Sequence, residues 1–104
     1  MFSSTILNAI FKLMKNKFQE LMKDLYAAKD EKSVVTFIQI AGWVKATTGT
    51  ITEIINRQME VVVVVNNREF YLEKDDKIFI DDTQDKKYYG LECSDYECSL
   101  GIIL

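Results

Sequence analysis

Neither histidine nor proline occurs in the 104 residues, and the four glycines are scattered singly. The missing histidine removes the usual general base and the commonest metal ligand. The missing proline removes one device that blunts exposed sheet edges, so any edges here must be managed by other means. No glycine-rich phosphate loop, nucleophile elbow or two-histidine motif is present. No segment reaches the roughly 18 uninterrupted apolar residues needed to span a bilayer. The N-terminus has no basic leader ahead of a continuous apolar stretch, so synthesis in a reducing cytoplasm is expected, with both cysteines as thiols.

What remains is a chain with 48% apolar and 28% charged residues, enough for one modest core. The net charge of −3 is unevenly spread. Residues 73–97 hold nine acids against four bases, while Lys12, Lys15 and Lys17 are the charges of the first nineteen residues. An acidic body disfavours phosphate, because nucleic-acid affinity comes largely from lysine and arginine. Neither nucleic acid nor a membrane is the expected partner.

The stretch from Ser3 to Lys29 reads as a helix, with Ser3, Ser4 or Thr5 as its cap. Leu7, Phe11, Met14, Phe18, Leu21 and Leu25 recur at spacings of four and three and form an apolar stripe. Such a stripe must be buried, either on the chain's own domain or against a helix of another copy. Membrane-surface binding is disfavoured by Glu20 and Asp24, which follow the lysines directly.

Beyond the helix the signals are almost all β. Residues 34–44 mix helical spacing with β-branched and aromatic content, and we read them as a strand. "GTITEII" is a strand with Ile51 on one face and Thr50 and Thr52 on the other, and "NRQ" is a turn. Asn66 and Asn67 join "MEVVVVV" to "REFYL" as a tight hairpin turn, since asparagine tolerates positive φ. That turn pairs Val65 with Arg68, Val63 with Phe70 and Val61 with Leu72, and sets these valines and apolar partners toward a core. Val62, Val64 and Tyr71 then fall on the opposite face. A strand wetted on one side should alternate, and this one does not, so the second face should be covered by the helix or by another chain. Further short strands follow at "KIFIDD", "KKYYGLEC" and the apolar tail "SLGIIL", which should dock on self or partner. The expected fold is α+β and mostly β: an N-terminal amphipathic helix over residues 1–30, then a small antiparallel β-barrel or half-open sandwich over 31–104, of OB-like or SH3-like meander.

Three residue groups carry candidate chemistry. Cys93 and Cys98 lie five apart around Asp95 and Glu97, too few ligands for a zinc site, so ordinary thiols are expected. Glu73, Asp75, Asp76, Asp81, Asp82 and Asp85 cluster in sequence and could hold calcium or share a proton. They lack the glycine and the ligand spacing of a calcium loop, so a solvated turn is expected, with no metal and no cofactor. Trp43, Phe70, Tyr71, Tyr88 and Tyr89 could form a stacking platform for single strands, but few bases accompany them.

The order "GTITEI…MEVVVV", "FYLEKDDKIFIDD", "KKYYGLEC" resembles the small OB-like barrel proteins of contractile phage-tail and tail-like bacteriocin baseplates. The resemblance covers about residues 45–93. The helix from Ser4 to Ala28 stands where that group has a short N-terminal helix, and a "GT-T" strand begins at Gly49. "L-E-K-D-D-K-I" from Leu72 to Ile78 matches the group's "leu-x-x-gly-asp-lys-val" segment, with Asp75 in place of the glycine. The resemblance implies a structural part of a tail hub or spike within a virion, with no catalytic residue. Its contacts would be Leu7, Phe11, Met14, Phe18, Leu21, Leu25, Val62, Val64, Tyr71, Ile102, Ile103 and Leu104, directed at protein partners or further copies in an oligomer. The alternatives are a single-strand-binding barrel and a small acidic inhibitory or regulatory binder of a mobile element, the latter acting through Asp75, Asp76, Asp81, Asp82 and Asp85.

Overall fold

The computed structural model describes residues 2–83, 85–92 and 99–104, with side chains from residue 17 onward. Helix α1 runs from Phe2 to Glu31. It starts ahead of Ser3, Ser4 and Thr5, which therefore lie inside its first turn rather than capping it. Its other end is a Schellman closure. The Ser33 N–H donates to Ala28 O at 2.9 Å and the Lys32 N–H to Lys29 O at 3.2 Å. Lys32 takes the left-handed position at φ 54°, where glycine has no Cβ to clash.

Seven strands follow: β1 (Val34–Ile40), β2 (Val44–Asn56), β3 (Glu60–Val65), β4 (Arg68–Glu73), β5 (Lys77–Asp81), β6 (Tyr88–Glu92) and β7 (Ser99–Ile103). They form one antiparallel sheet in the order β4-β3-β2-β1-β7-β6-β5. The ambiguous segment near residue 37 is thus strand, as its β-branched content predicts. Asn66 and Asn67 both take positive φ, at 55° and 63°, and the register Val65–Arg68, Val63–Phe70, Val61–Leu72 follows.

The expected closed barrel does not form. β4 and β5 end the sheet as unpaired edges, although only Lys74–Asp76 separate them in sequence. Curvature comes mainly from β2, whose 13 residues pair first with β1 and then with β3. Between these halves the register shifts around Thr52, an extra residue that bends the strand. The Thr52 hydroxyl donates to Val64 O at 3.3 Å across this bulge.

The curl is measurable in the core. Phe37 on β1 and Phe70 on β4 stand three strands apart, about 14 Å in a flat sheet. Their ring centroids are 4.6 Å apart. The concave face so formed would be wet without a cover, and α1 supplies one. Leu21, Leu25 and Ala28 are buried in the same cluster as Val35, Phe37, Val61, Val63, Phe70, Leu72, Leu91 and Ile102, with Phe18 and Met22 against its rim. The second half of the helical stripe therefore docks within its own chain. Leu7, Phe11 and Met14 lie outside the described side chains.

Two outcomes test this arrangement. Leu25→Ala should cost about 2–5 kcal/mol in urea unfolding, because a buried cavity is opened; a change near zero would mean that the helix does not seal the core. Lys32→Gly should raise stability by about 0.5–1 kcal/mol in the same assay, by relieving the left-handed position.

Candidate interaction surfaces and an acidic turn

On the convex side the register places residues of alternating parity together. Across β2, β1, β7, β6 and β5 this outer face carries Val34, Ile38, Ile40, Val44, Phe79, Tyr88 and Ile103. Ile40 lies directly opposite Val44, and Thr36 opposite Thr48, whose hydroxyls meet at 3.0 Å. Val34 is 61% exposed, Val44 71% and Phe79 54%. Such values on one continuous face exceed the scattered apolar exposure of an ordinary surface. Trp43, also 54% exposed, sits beside Gly42 (φ 73°) in the β1–β2 turn and extends the patch at that end.

Tyr88 shapes the middle of this face. Its ring lies over Gly90 and Gly101, which pair with each other across β6 and β7. A Cβ on Gly101 would come within 2.9 Å of the Tyr88 hydroxyl oxygen, so this small residue makes room for the ring.

The convex face of β3 and β4 is different. Val62 is buried and Val64 half-buried. Val62 is flanked in register by Ile55 and Tyr71. Tyr71 remains 53% exposed, its hydroxyl donating to Glu69 at 2.6 Å. The apolar tail docks on its own chain as β7: Ile102 is buried, Ile103 half-buried on the convex face, and Leu104 packs against the core. Of the residues first assigned to partner contacts, Leu21, Leu25, Val62 and Ile102 are thus occupied internally, while Tyr71 is accessible and Val64 and Ile103 partly so.

Helix and sheet are also joined by a polar cluster at the core boundary. Lys87 Nζ lies 2.9 Å from Glu20 Oε2 and 3.0 Å from Asp24 Oδ2. The buried Tyr89 donates its hydroxyl to Asp24, with Glu20 a second acceptor at 3.4 Å. Burial opposes the Asp24 charge, but the hydrogen bonds from Tyr89 and Lys87 outweigh it, and its carboxyl lies below its usual range. Hydrogen bonding to Glu20 foremost, opposed by burial, holds Lys87 well above its ordinary value. Sequence reading missed this cluster because its members stand more than sixty positions apart.

The acidic residues split into two groups. Asp81, Asp82 and Asp85 are exposed, as a solvated turn requires. Glu73, Asp75 and Asp76 instead converge at the β4–β5 turn, with one carboxylate oxygen from each within 4.8 Å of the others. The turn is tight: the Asp76 N–H donates to Glu73 O at 3.2 Å and the Lys74 N–H to Met59 O at 3.1 Å. Asp76 is only 7% exposed, so the solvated-turn expectation is corrected at this position. Burial first, and then the charges of Glu73 and Asp75, push its carboxyl up to about 6.

The five aromatics weighed as a stacking platform do not share one surface, since Phe70 and Tyr89 belong to the core. Cys93, Asp95, Glu97 and Cys98 lie outside the described residues. Among the described residues no helix is long and apolar enough to cross a membrane. No protein-family model, curated protein or solved structure matches this chain.

The Asp24 carboxyl is depressed on folding, so its contribution is complete above the unfolded value of about 3.9 and lost as pH falls below it. Asp24→Asn should therefore cost about 1 kcal/mol at pH 7. The gap to the unsubstituted protein, followed by urea midpoints, should close as pH drops below about 4. A gap that persists there would remove the charge from the account.

Proposed function

We propose that this chain is a non-catalytic assembly subunit, built to be joined to other protein subunits through the convex face of β2, β1, β7, β6 and β5. The observation that carries this reading is the set of exposed apolar residues on that face, Val34, Ile40, Val44, Phe79 and Tyr88, with exposed Trp43 in the β1–β2 turn. An antiparallel sheet with one face in water normally carries polar residues there. Here aliphatic, aromatic, threonine and glycine residues fill most of the face, with Lys77, Asp81 and Glu92 at its β5–β6 border, an apolar centre with a charged rim as interfaces have. The open edges β4 and β5 add main-chain donors and acceptors that a neighbouring strand could pair with.

The specific form we favour is a baseplate, hub or spike component of a contractile phage tail or tail-like particle. That step rests on the sequence resemblance over residues 45–93 and on the mechanical character of such parts: rigid β pairing and large subunit contacts rather than chemistry. In that setting an apolar convex face is stable because neighbouring subunits cover it, whereas an isolated chain would risk edge pairing and aggregation.

Light scattering after size exclusion tests the proposal. The purified chain should run at a multiple of 12.1 kDa, and Val44→Asp/Phe79→Asp should reduce it to a single chain. Both positions are exposed, so the fold should survive the change. A wild-type monomer whose solubility and mass the double substitution leaves unaltered would sink the proposal.

A further inference from the structure

We propose that Glu73, Asp75 and Asp76 form a binding site for one divalent cation of calcium or magnesium type, placed where the two edges of the sheet meet. The convergence of three carboxylates is the first observation. Exposed acidic turns are common, and alone this would mean little. The second observation is independent. Asp76 is more than nine-tenths buried, and among the described residues its Oδ1 has no hydrogen-bond partner. A buried carboxylate oxygen left unpaired is costly, and native structures resolve it with a donor or a cation.

No protein cation fills that role among the described residues. The ion pairs there are Arg57–Glu60, Lys87–Glu20 and Lys87–Asp24, none of which includes Glu73, Asp75 or Asp76. Lys17 and Lys77 border a cleft beside Asp76 without forming an ion pair with it. A second cleft beside the turn is lined by Met59, Glu60, Glu73 and Asp75.

The donor set decides the class of ion. All three ligands are carboxylate oxygens with no histidine in the chain, which selects hard cations and disfavours zinc or copper. Three side chains leave coordination positions for water, as magnesium and low-affinity calcium sites both do. Ionised together, the three groups repel one another. A bound dication would reverse that repulsion.

The location gives the site a structural consequence. Glu73 ends β4, Lys77 begins β5, and these are the two strands that fail to pair. An ion on Glu73, Asp75 and Asp76 would fasten the seam of the curled sheet at the corner where its edges come together. It would therefore stabilise the whole domain, because ligand binding to the folded state alone raises its stability.

The test is titration of the full chain with calcium chloride, and separately magnesium chloride, in about 150 mM potassium chloride to screen loose counterions. Isothermal calorimetry should show one ion per chain, and Tm should rise by about 5 °C at ten times the dissociation constant. Asp76→Asn should abolish both effects. Should that variant fail to fold, the exposed pair Glu73→Gln/Asp75→Asn keeps the core intact and should weaken binding at least tenfold. No heat and no Tm change with either cation up to about 10 mM would overturn the site. Unchanged affinity in the variants that fold would do the same.

Discussion

Everything in this domain depends on a sheet that curls without closing. Antiparallel strands twist, and a bulge at Thr52 lets one long strand, β2, belong to both halves of the sheet. Two rows of apolar residues are brought face to face, so that Phe37 meets Phe70. A closed barrel would seal that core with its own hydrogen bonds. An open one leaves a gap, and α1 fills it with Leu21, Leu25 and Ala28. Helix and sheet are therefore one folding unit, since neither has a buried apolar face without the other.

Polar contacts then fix how the helix sits. Apolar packing has little directionality, so a leucine stripe alone could slide by a turn. Lys87, Tyr89, Asp24 and Glu20 form a network with definite geometry between α1 and the start of β6. Tyr89 spans both environments: its ring lies in the core and its hydroxyl reaches the helix carboxylate. Both faces of the molecule follow from this docking. With the concave side occupied by the helix, the convex side is what the protein can offer to others, and there it presents Val44, Phe79 and Tyr88.

The five-valine strand shows how local pattern and tertiary context divide the explanation. Its continuous apolar run implied that both faces are shielded. Val61, Val63 and Val65 do enter the core, while Val62, on the other face, is buried with Ile55 and Tyr71 beside it on the adjoining strands. Neighbours on the adjoining strands cannot be read from one strand's own sequence. The same holds for the acidic turn. Six acids close in sequence looked alike, yet three gather at a corner and one is buried, because the sheet's edges converge at that point and not at Asp81 or Asp85.

The amino-acid order by itself determined the helix, the strands after it, the Asn66–Asn67 turn and the hairpin register, because these follow from side-chain period and from backbone preferences within a few residues. It also determined that Leu21 and Leu25 must be buried, since apolar stripes are not left in water. Only the tertiary structure decided that the sheet stays open, that the helix closes it from within the same chain, and which acidic residues meet. Those outcomes turn on long-range geometry, where the bend of one strand sets the positions of groups far apart in sequence. Contacts of that kind leave no periodic trace along the chain.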